Sequence, residues 1–358
     1  MTEATPMDVS LDAFSLPLAA PLSTAAGDIT ERRGYLLQVE CAERGVTAFG
    51  EATPLPGWTE SLDDCRAVLD DARDALREND FDRALTVCRD APAARHAVSL
   101  ARADLRARRE DVPLYRHLGT STARETLPVN ATVGDADVDE TVARARDAVD
   151  AGYPCLKLKV GVRSVDADLG RVRAVREACP DVALRLDANE AWSREAAHRA
   201  FDALADLDVA YVEQPLAAED LAGHAALRDG HPETPVALDE SLARFSVERV
   251  LAEGAADVAV LKPMALGGVD VARYAARVAE RRGAAVTVTT TIDAVVARAG
   301  AVHLAAAVAP NRAHGVATGD LLARDLPTGG DERPLPVEGG AVGVPQGNGL
   351  GFSVGSIE

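Results

Sequence analysis

The chain has 358 residues and a mass of 37.5 kDa, with 47% apolar residues and a formal net charge of −19. That length can bury a sizeable core, as one large α/β barrel with an appendage or as two domains, and the acidic balance argues against nucleic acid or an anionic membrane as partner. No apolar stretch approaches ~20 residues without a charge and no basic residue precedes Arg32, so neither a membrane span nor a secretory leader is expected, and the expected location is cytoplasmic.

In chain order, Tyr35–Cys41 and Val46–Ala52 read as strands flanking the turn Glu43-Arg44-Gly45. From Ser61 to Arg109 apolar residues recur at helical spacing, as at Ala97, Leu100, Ala101 and Leu105. The rhythm then changes to a strand over Leu127–Val133, a helix from about Asp137 to Ala151, a strand over Cys155–Val160, a helix to Ala178 and a strand over Ala183–Asp187. Strand ends recur from there: Lys159 to Asp187 is 28 residues, Asp187 to Glu213 is 26, Glu213 to Asp239 is 26 and Asp239 to Lys262 is 23. One βα unit takes about that length, and two further strands, Ala285–Thr291 and Ala313–Thr318, bring the count to eight. The expected fold is α/β, a TIM-like barrel whose interior is reached from the C-terminal strand ends. No G-x-G-x-x-G or P-loop follows a strand, so nothing recommends an open doubly wound sheet. The five cysteines are scattered and contain no C-x-x-C, which disfavours a disulfide framework or a thiolate metal site.

Only three lysines, Lys157, Lys159 and Lys262, stand against 35 arginines, and each lies in a short apolar run. Arginine stays charged at any working pH, whereas a desolvated lysine can be tuned into a base. Lysine retained only at strand ends therefore points to proton transfer. Period-2 geometry sets Lys157 and Lys159 on one inward face, and Asp187, Glu213 and Asp239 end the next three strands. Three converging carboxylates without cysteine or histidine suit a hard divalent cation, Mg²⁺ or Mn²⁺. A metal between two amines suits removal of a proton next to a carboxylate, with the Lys157 charge tuning Lys159.

Lys157-x-Lys159, Asp187-Ala-Asn189-Glu-Ala-Trp192, Glu213-Gln-Pro215, Leu238-Asp239-Glu240-Ser241 and Leu261-Lys262-Pro263 resemble the muconate-lactonising-enzyme subgroup of the enolase superfamily. Phe49-Gly-Glu-Ala-Thr-Pro-Leu-Pro-Gly-Trp58, the Arg95 to Leu105 helix, Val129-Asn130-Ala131 and Arg185 resemble the o-succinylbenzoate synthases of menaquinone biosynthesis within it. The resemblance implies a capping domain over 1–125, a modified (β/α)7β barrel over 126–327 and a segment over 328–358 that returns to the cap from about Pro334. It implies Lys159 as acid/base with Lys262 opposite, the metal on Asp187, Glu213 and Asp239, and a small carboxylate as substrate. Substrate contacts are implied at Arg185, Asn189, Ser241, Thr290, Thr291 and Gly315, with a lid at Gly27, Pro56, Gly57 and Trp58. The oligomeric state and the roles of His314 and Asp320 stay open. Thr289-Thr-Thr-Ile-Asp293 departs from the serine-rich segment usual in the synthases. One metal between two lysines also suits racemisation of N-succinylamino acids or epimerisation of dipeptides; dipeptide epimerases usually carry an Asp-x-Asp pair near the eighth strand, where this chain has Asp320 alone. A Schiff-base aldolase would leave the three carboxylates unexplained. The acid surplus leads to the further expectation of a halophilic protein.

Overall fold

The computed structural model describes residues 6–24, 27–41, 45–119, 122, 124–329 and 335–357. Glu43 and Arg44 of the expected turn and Pro334 at the expected start of the returning segment lie outside them. Strands β1 (Asp8–Thr24), β2 (Gly27–Cys41) and β3 (Val46–Ala52) form an antiparallel sheet, in the order β1-β2-β3. The helical region resolves into α1 (Leu62–Arg77), α2 (Phe81–Val87) and α3 (Pro92–Arg109), followed by the single turn α4 (Leu114–His117). Gly50 lets α3 lie on this sheet, because a Cβ there would stand 1.9 Å from the Ala97 carbonyl oxygen.

Strand β4 (Thr126–Pro128) leads into the barrel. Its repeating part runs β5 (Asn130–Val133), α5 (Val138–Asp150), β6 (Cys155–Lys159), α6 (Val165–Ala178), β7 (Ala183–Asp187), α7 (Arg194–Leu204), β8 (Val209–Glu213) and α8 (Leu221–Gly230). It continues with β9 (Val236–Leu238), α9 (Glu240–Arg244), α10 (Val247–Ala252), β10 (Val258–Leu261), α11 (Pro263–Leu266), α12 (Val269–Arg281), β11 (Ala285–Val288) and α13 (Val295–Val308). Strands β5 to β11 form one parallel sheet in sequence order. The expected eighth strand is present as two parallel bridges, Val129 with His314 and Thr289 with Gly315, which join the two edges of the curled sheet. Curling removes the exposed edges that an open sheet would present.

The ends of the helices follow local chemistry. Ser61, Asp137, Ser164, Ser193, Asp220 and Ser246 each accept a backbone N–H three residues on, at the starts of α1, α5, α6, α7, α8 and α10. Helix α13 has no such residue; Glu51 of β3 accepts from the Ala294 and Ala297 N–H groups at 2.8 Å each. Two short strands, β12 (Val337–Glu338) and β13 (Ala341–Gly343), pair back onto β4. Beyond them the Leu350 N–H donates to Asp104 of α3 at 2.7 Å, and Arg108 donates to the Phe352 carbonyl.

Candidate active site

The short barrel strands bring the expected residues to one rim. Lys159, Asp187 and Glu213 are neighbours in strand register, while Asp239 and Lys262 lie one residue beyond β9 and β10. Lys157 Nζ bridges Asp187 Oδ2 at 2.9 Å and Glu213 Oε1 at 2.7 Å. Lys159 Nζ donates to Asp187 Oδ2 and Asn189 Oδ1, both at 2.7 Å. Across the barrel, Lys262 Nζ is 2.5 Å from Asp239 Oδ2 and 3.4 Å from the centroid of the Trp58 ring. Trp58 comes from the cap, on a turn in which Gly57 has φ +86° and the Trp58 N–H donates to the Leu55 carbonyl. Pro56 sits in the same turn; Gly27 opens β2 opposite Thr24.

Backbone strain marks this rim. Asn189 (φ 42°), Glu190 (67°) and Gln214 (41°) are left-handed without being glycine, and they lie within three residues after Asp187 and Glu213. Such residues cost on the order of 1 kcal/mol each unless surrounding contacts hold them. Gln214 shows how they are held: Oε1 accepts the Asp239 and Ser241 N–H groups at 3.1 Å, and Nε2 donates to the Leu216 carbonyl and to Ser241 Oγ. One fully buried amide thus ties the end of β8 to the end of β9 and orients Asp239. Sequence reasoning passed over Gln214, although it adjoins Glu213. It also passed over Glu240, which accepts from Asn189 Nδ2 at 2.9 Å beside Lys262.

Electrostatics separate the groups. Burial alone would depress Lys157, but Asp187 and Glu213 reverse this and hold it well above the usual lysine range. Burial pushes Asp187 up, yet the Lys157 and Lys159 charges outweigh it and hold the carboxyl below the usual range. Glu213 is pushed up to about 7, by burial first and then by the Asp187 charge. Burial raises Asp239 to about 6 against the pull of Lys262. Negative charge is therefore incompletely matched around Glu213, and its second oxygen, Oε2, is buried without a hydrogen-bond partner. A hard cation fits an all-oxygen set with an unsatisfied carboxylate oxygen. As the side chains stand, the ammonium groups occupy the carboxylates, and among the described residues no three acids, histidines or cysteines are grouped to bind a metal.

Several expected substrate contacts have other partners. Ser241 is fully buried, its hydroxyl donating to the Ala218 carbonyl at 2.8 Å. The Thr291 hydroxyl donates to the Asp293 carboxylate. Arg185 turns toward Asn130 and Tyr211, whereas Lys157 at the same level of the neighbouring strand reaches Asp187 and Glu213. In the structure as it stands, the partners of these three side chains lie within the protein. Asn189 does reach the ring. Thr290 pairs with Thr318 at 2.8 Å, and Gly315 leaves space that a Cβ would close, 2.6 Å from Thr289 Oγ1. His314 is buried and pushed down to about 4 by burial, accepting from the Val288 N–H and donating to the Ala309 carbonyl, so it serves the barrel wall. A cavity of about 480 Å³ beside Arg298 and Asp325 contains none of the lysine and carboxylate set.

Residues 140–356 match the family described as enolase C-terminal domain-like. The chain is 30% identical to the hydrophobic dipeptide epimerase of Enterococcus faecalis over 286 residues, 77% of this chain and 79% of that protein. It is 30% identical to the o-succinylbenzoate synthase of Geobacillus stearothermophilus over 365 residues, 97% of this chain and 92% of that protein. The solved dipeptide epimerase of Enterococcus faecalis, complexed with Mg and L-Leu-L-Tyr, superposes with a TM-score of 0.87 at 27% identity, covering 97% of this chain and 99% of that one. With its parallel barrel, its antiparallel cap and lysines and acids at the strand ends, the chain belongs to the enolase superfamily, among the relatives of muconate-lactonising enzyme.

Proposed function

We propose that the chain is a metal-dependent carbon–oxygen lyase that dehydrates 2-succinyl-6-hydroxy-2,4-cyclohexadiene-1-carboxylate to 2-succinylbenzoate. The supporting observation is the asymmetry of the two opposed lysines. The Lys159 side chain is 35% exposed, against 15% for Lys262, which is held between the Asp239 carboxylate and the Trp58 indole. An indole face attracts a cation. A dehydratase needs one accessible proton carrier and one fixed charge; a racemase needs two bases, one on each face of the substrate.

Asp187, Glu213 and Asp239 would hold Mg²⁺, or Mn²⁺, which when bound supplies a Lewis acid for the substrate carboxylate. Lys159 Nζ, steadied by Asn189, takes the proton α to that carboxylate. The resulting ammonium returns the proton to the departing hydroxyl, so the proton and hydroxide leave as water and the ring becomes aromatic. Lys157 stays an ammonium beneath the site, and Lys262 lends fixed positive charge on the opposite face. Trp58 covers Lys262 and shields it from water.

The second reading is racemisation of N-succinylamino acids or epimerisation of dipeptides, favoured by the epimerases among the relatives. Against the dipeptide form, the segment after the eighth strand, His314 to Leu322, contains no Asp-x-Asp motif. Aromatisation of the cyclohexadiene and α-deuterium exchange in N-succinylamino acids and dipeptides discriminate the readings when measured on one preparation. Lys159→Arg keeps the charge but cannot act as base, so it should lower aromatisation at least ~10²-fold, whereas Lys262→Arg should retain a larger share. Exchange without dehydration rejects the synthase. Activity should also vanish after exhaustive EDTA treatment and return with Mg²⁺ or Mn²⁺; full activity without metal would refute the carboxylate assignment.

A further inference from the structure

The lower half of the barrel holds positive charge that no side chain among the described residues balances. Arg185 enters the interior from β7, in register with Lys157 and Tyr211, and is 4% exposed. Its guanidinium lies 4.9 Å from the centroid of the Tyr211 ring, and among the described residues it makes a long 3.4 Å contact to Asn130 Oδ1. Arg312 comes in from the N-terminal mouth, two residues before the bridge at His314, within electrostatic range of Arg185, Tyr211 and Cys155. The Nε atoms of both arginines are buried without partners, and so is Thr287 Oγ1. Thr287 shares the inward face of β11 with Ala285, which packs against the interior cluster of Tyr211, Ala237, Val258 and Val260. Among the described residues neither arginine joins an ion pair, whereas Lys157 nearby has both Asp187 and Glu213.

Two guanidinium groups in apolar surroundings repel one another, and a guanidinium does not shed its proton at working pH. Each buried donor left unmade also carries a desolvation cost. An anion resolves both. We propose that the barrel floor binds a small monovalent anion, chloride or a carboxylate of formate size, between Arg185 and Arg312. Two positive charges and three free donors suit a single negative charge. Arg312 is only partly buried, so the ion enters from the N-terminal face, away from the Lys159 rim. The site stands independently of which reaction the rim performs.

The test exchanges the protein into sodium gluconate, an anion too large for the floor, at a fixed high ionic strength. Gluconate is then replaced stepwise by chloride, bromide or formate while thermal unfolding is followed. A saturable rise in Tm of roughly 2–4 °C is expected. A response to halides identifies the ion as halide, and one to formate alone as carboxylate; either supports the site. Arg312→Gln should lose the saturable component. Arg312→Glu supplies a carboxylate from within and should hold the saturated Tm in gluconate alone. Bromide-soaked crystals of the unaltered protein should show an anomalous peak between the two guanidinium groups. The same unsaturable response in the unaltered protein and Arg312→Gln overturns the proposal, as does a saturable halide response with no bromide found between the two guanidinium groups.

Discussion

His224, His303 and His314 are all buried, and burial pushes each down to about 4. For His303 the hydrogen bonds show why the neutral form is needed: Nδ1 accepts from the Tyr115 N–H while Nε2 donates to the Leu350 carbonyl, both at 3.3 Å. A proton on Nδ1 would set donor against donor. The unfolded chain binds that proton near 6.5, so His303 contributes stability that is fully present above pH 6.5 and is lost as pH falls toward 4. The total at stake is about 3 kcal/mol. His303→Gln removes the titration, so the stability gap between the unaltered protein and the variant should narrow steadily from pH 7 to pH 4 in urea unfolding. A constant gap would show that His303 does not titrate there.

At the scale of elements, Glu51 shows how cap and barrel are fastened. The Glu51 carboxylate stands at the start of α13, 243 residues away in sequence from Ala294, and supplies the cap that α13 lacks locally. Arg32 reinforces the junction by donating to the Thr53, Pro54 and Ile292 carbonyls. Glu51→Ala would orphan two buried N–H groups and should cost about 2–4 kcal/mol, clearly more than the ~1 kcal/mol expected for Ser61→Ala at the exposed start of α1. Equal losses in denaturant unfolding would contradict the fastening role. The segment from Phe49 to Trp58 thus divides its work: Glu51 and Thr53 are buried at the junction, while Pro56 to Trp58 carry the indole to Lys262.

For the whole molecule, 57 acids against 38 basic residues leave a surface that repels itself. Many ion pairs, such as Arg77 with Asp74 and Arg89 with Asp90, are exposed and worth little individually. Salt shortens the range of the repulsion to about 10 Å at 0.1 M and to about 3 Å at 1 M. Thermal stability should therefore climb between 0.05 M and 2 M KCl. This component continues without saturation and is indifferent to anion size, unlike the barrel-floor response. Equal Tm at the two salt concentrations would dismiss the reading of the surface as salt-adapted.

Local pattern was enough to place Lys157, Lys159, Asp187, Glu213, Asp239 and Lys262 at the ends of successive strands, because side-chain alternation and the length of a βα unit are properties of short stretches of chain. Tertiary structure alone decided which oxygen meets which ammonium, that Ser241 and Thr291 are spent on packing, that Arg185 faces the floor, and that Gln214 binds two strand ends together. It also decided that an indole from the cap rests on Lys262. These outcomes depend on how groups far apart in sequence satisfy one another's charges and hydrogen bonds once water is excluded, and no periodicity along the chain encodes that matching.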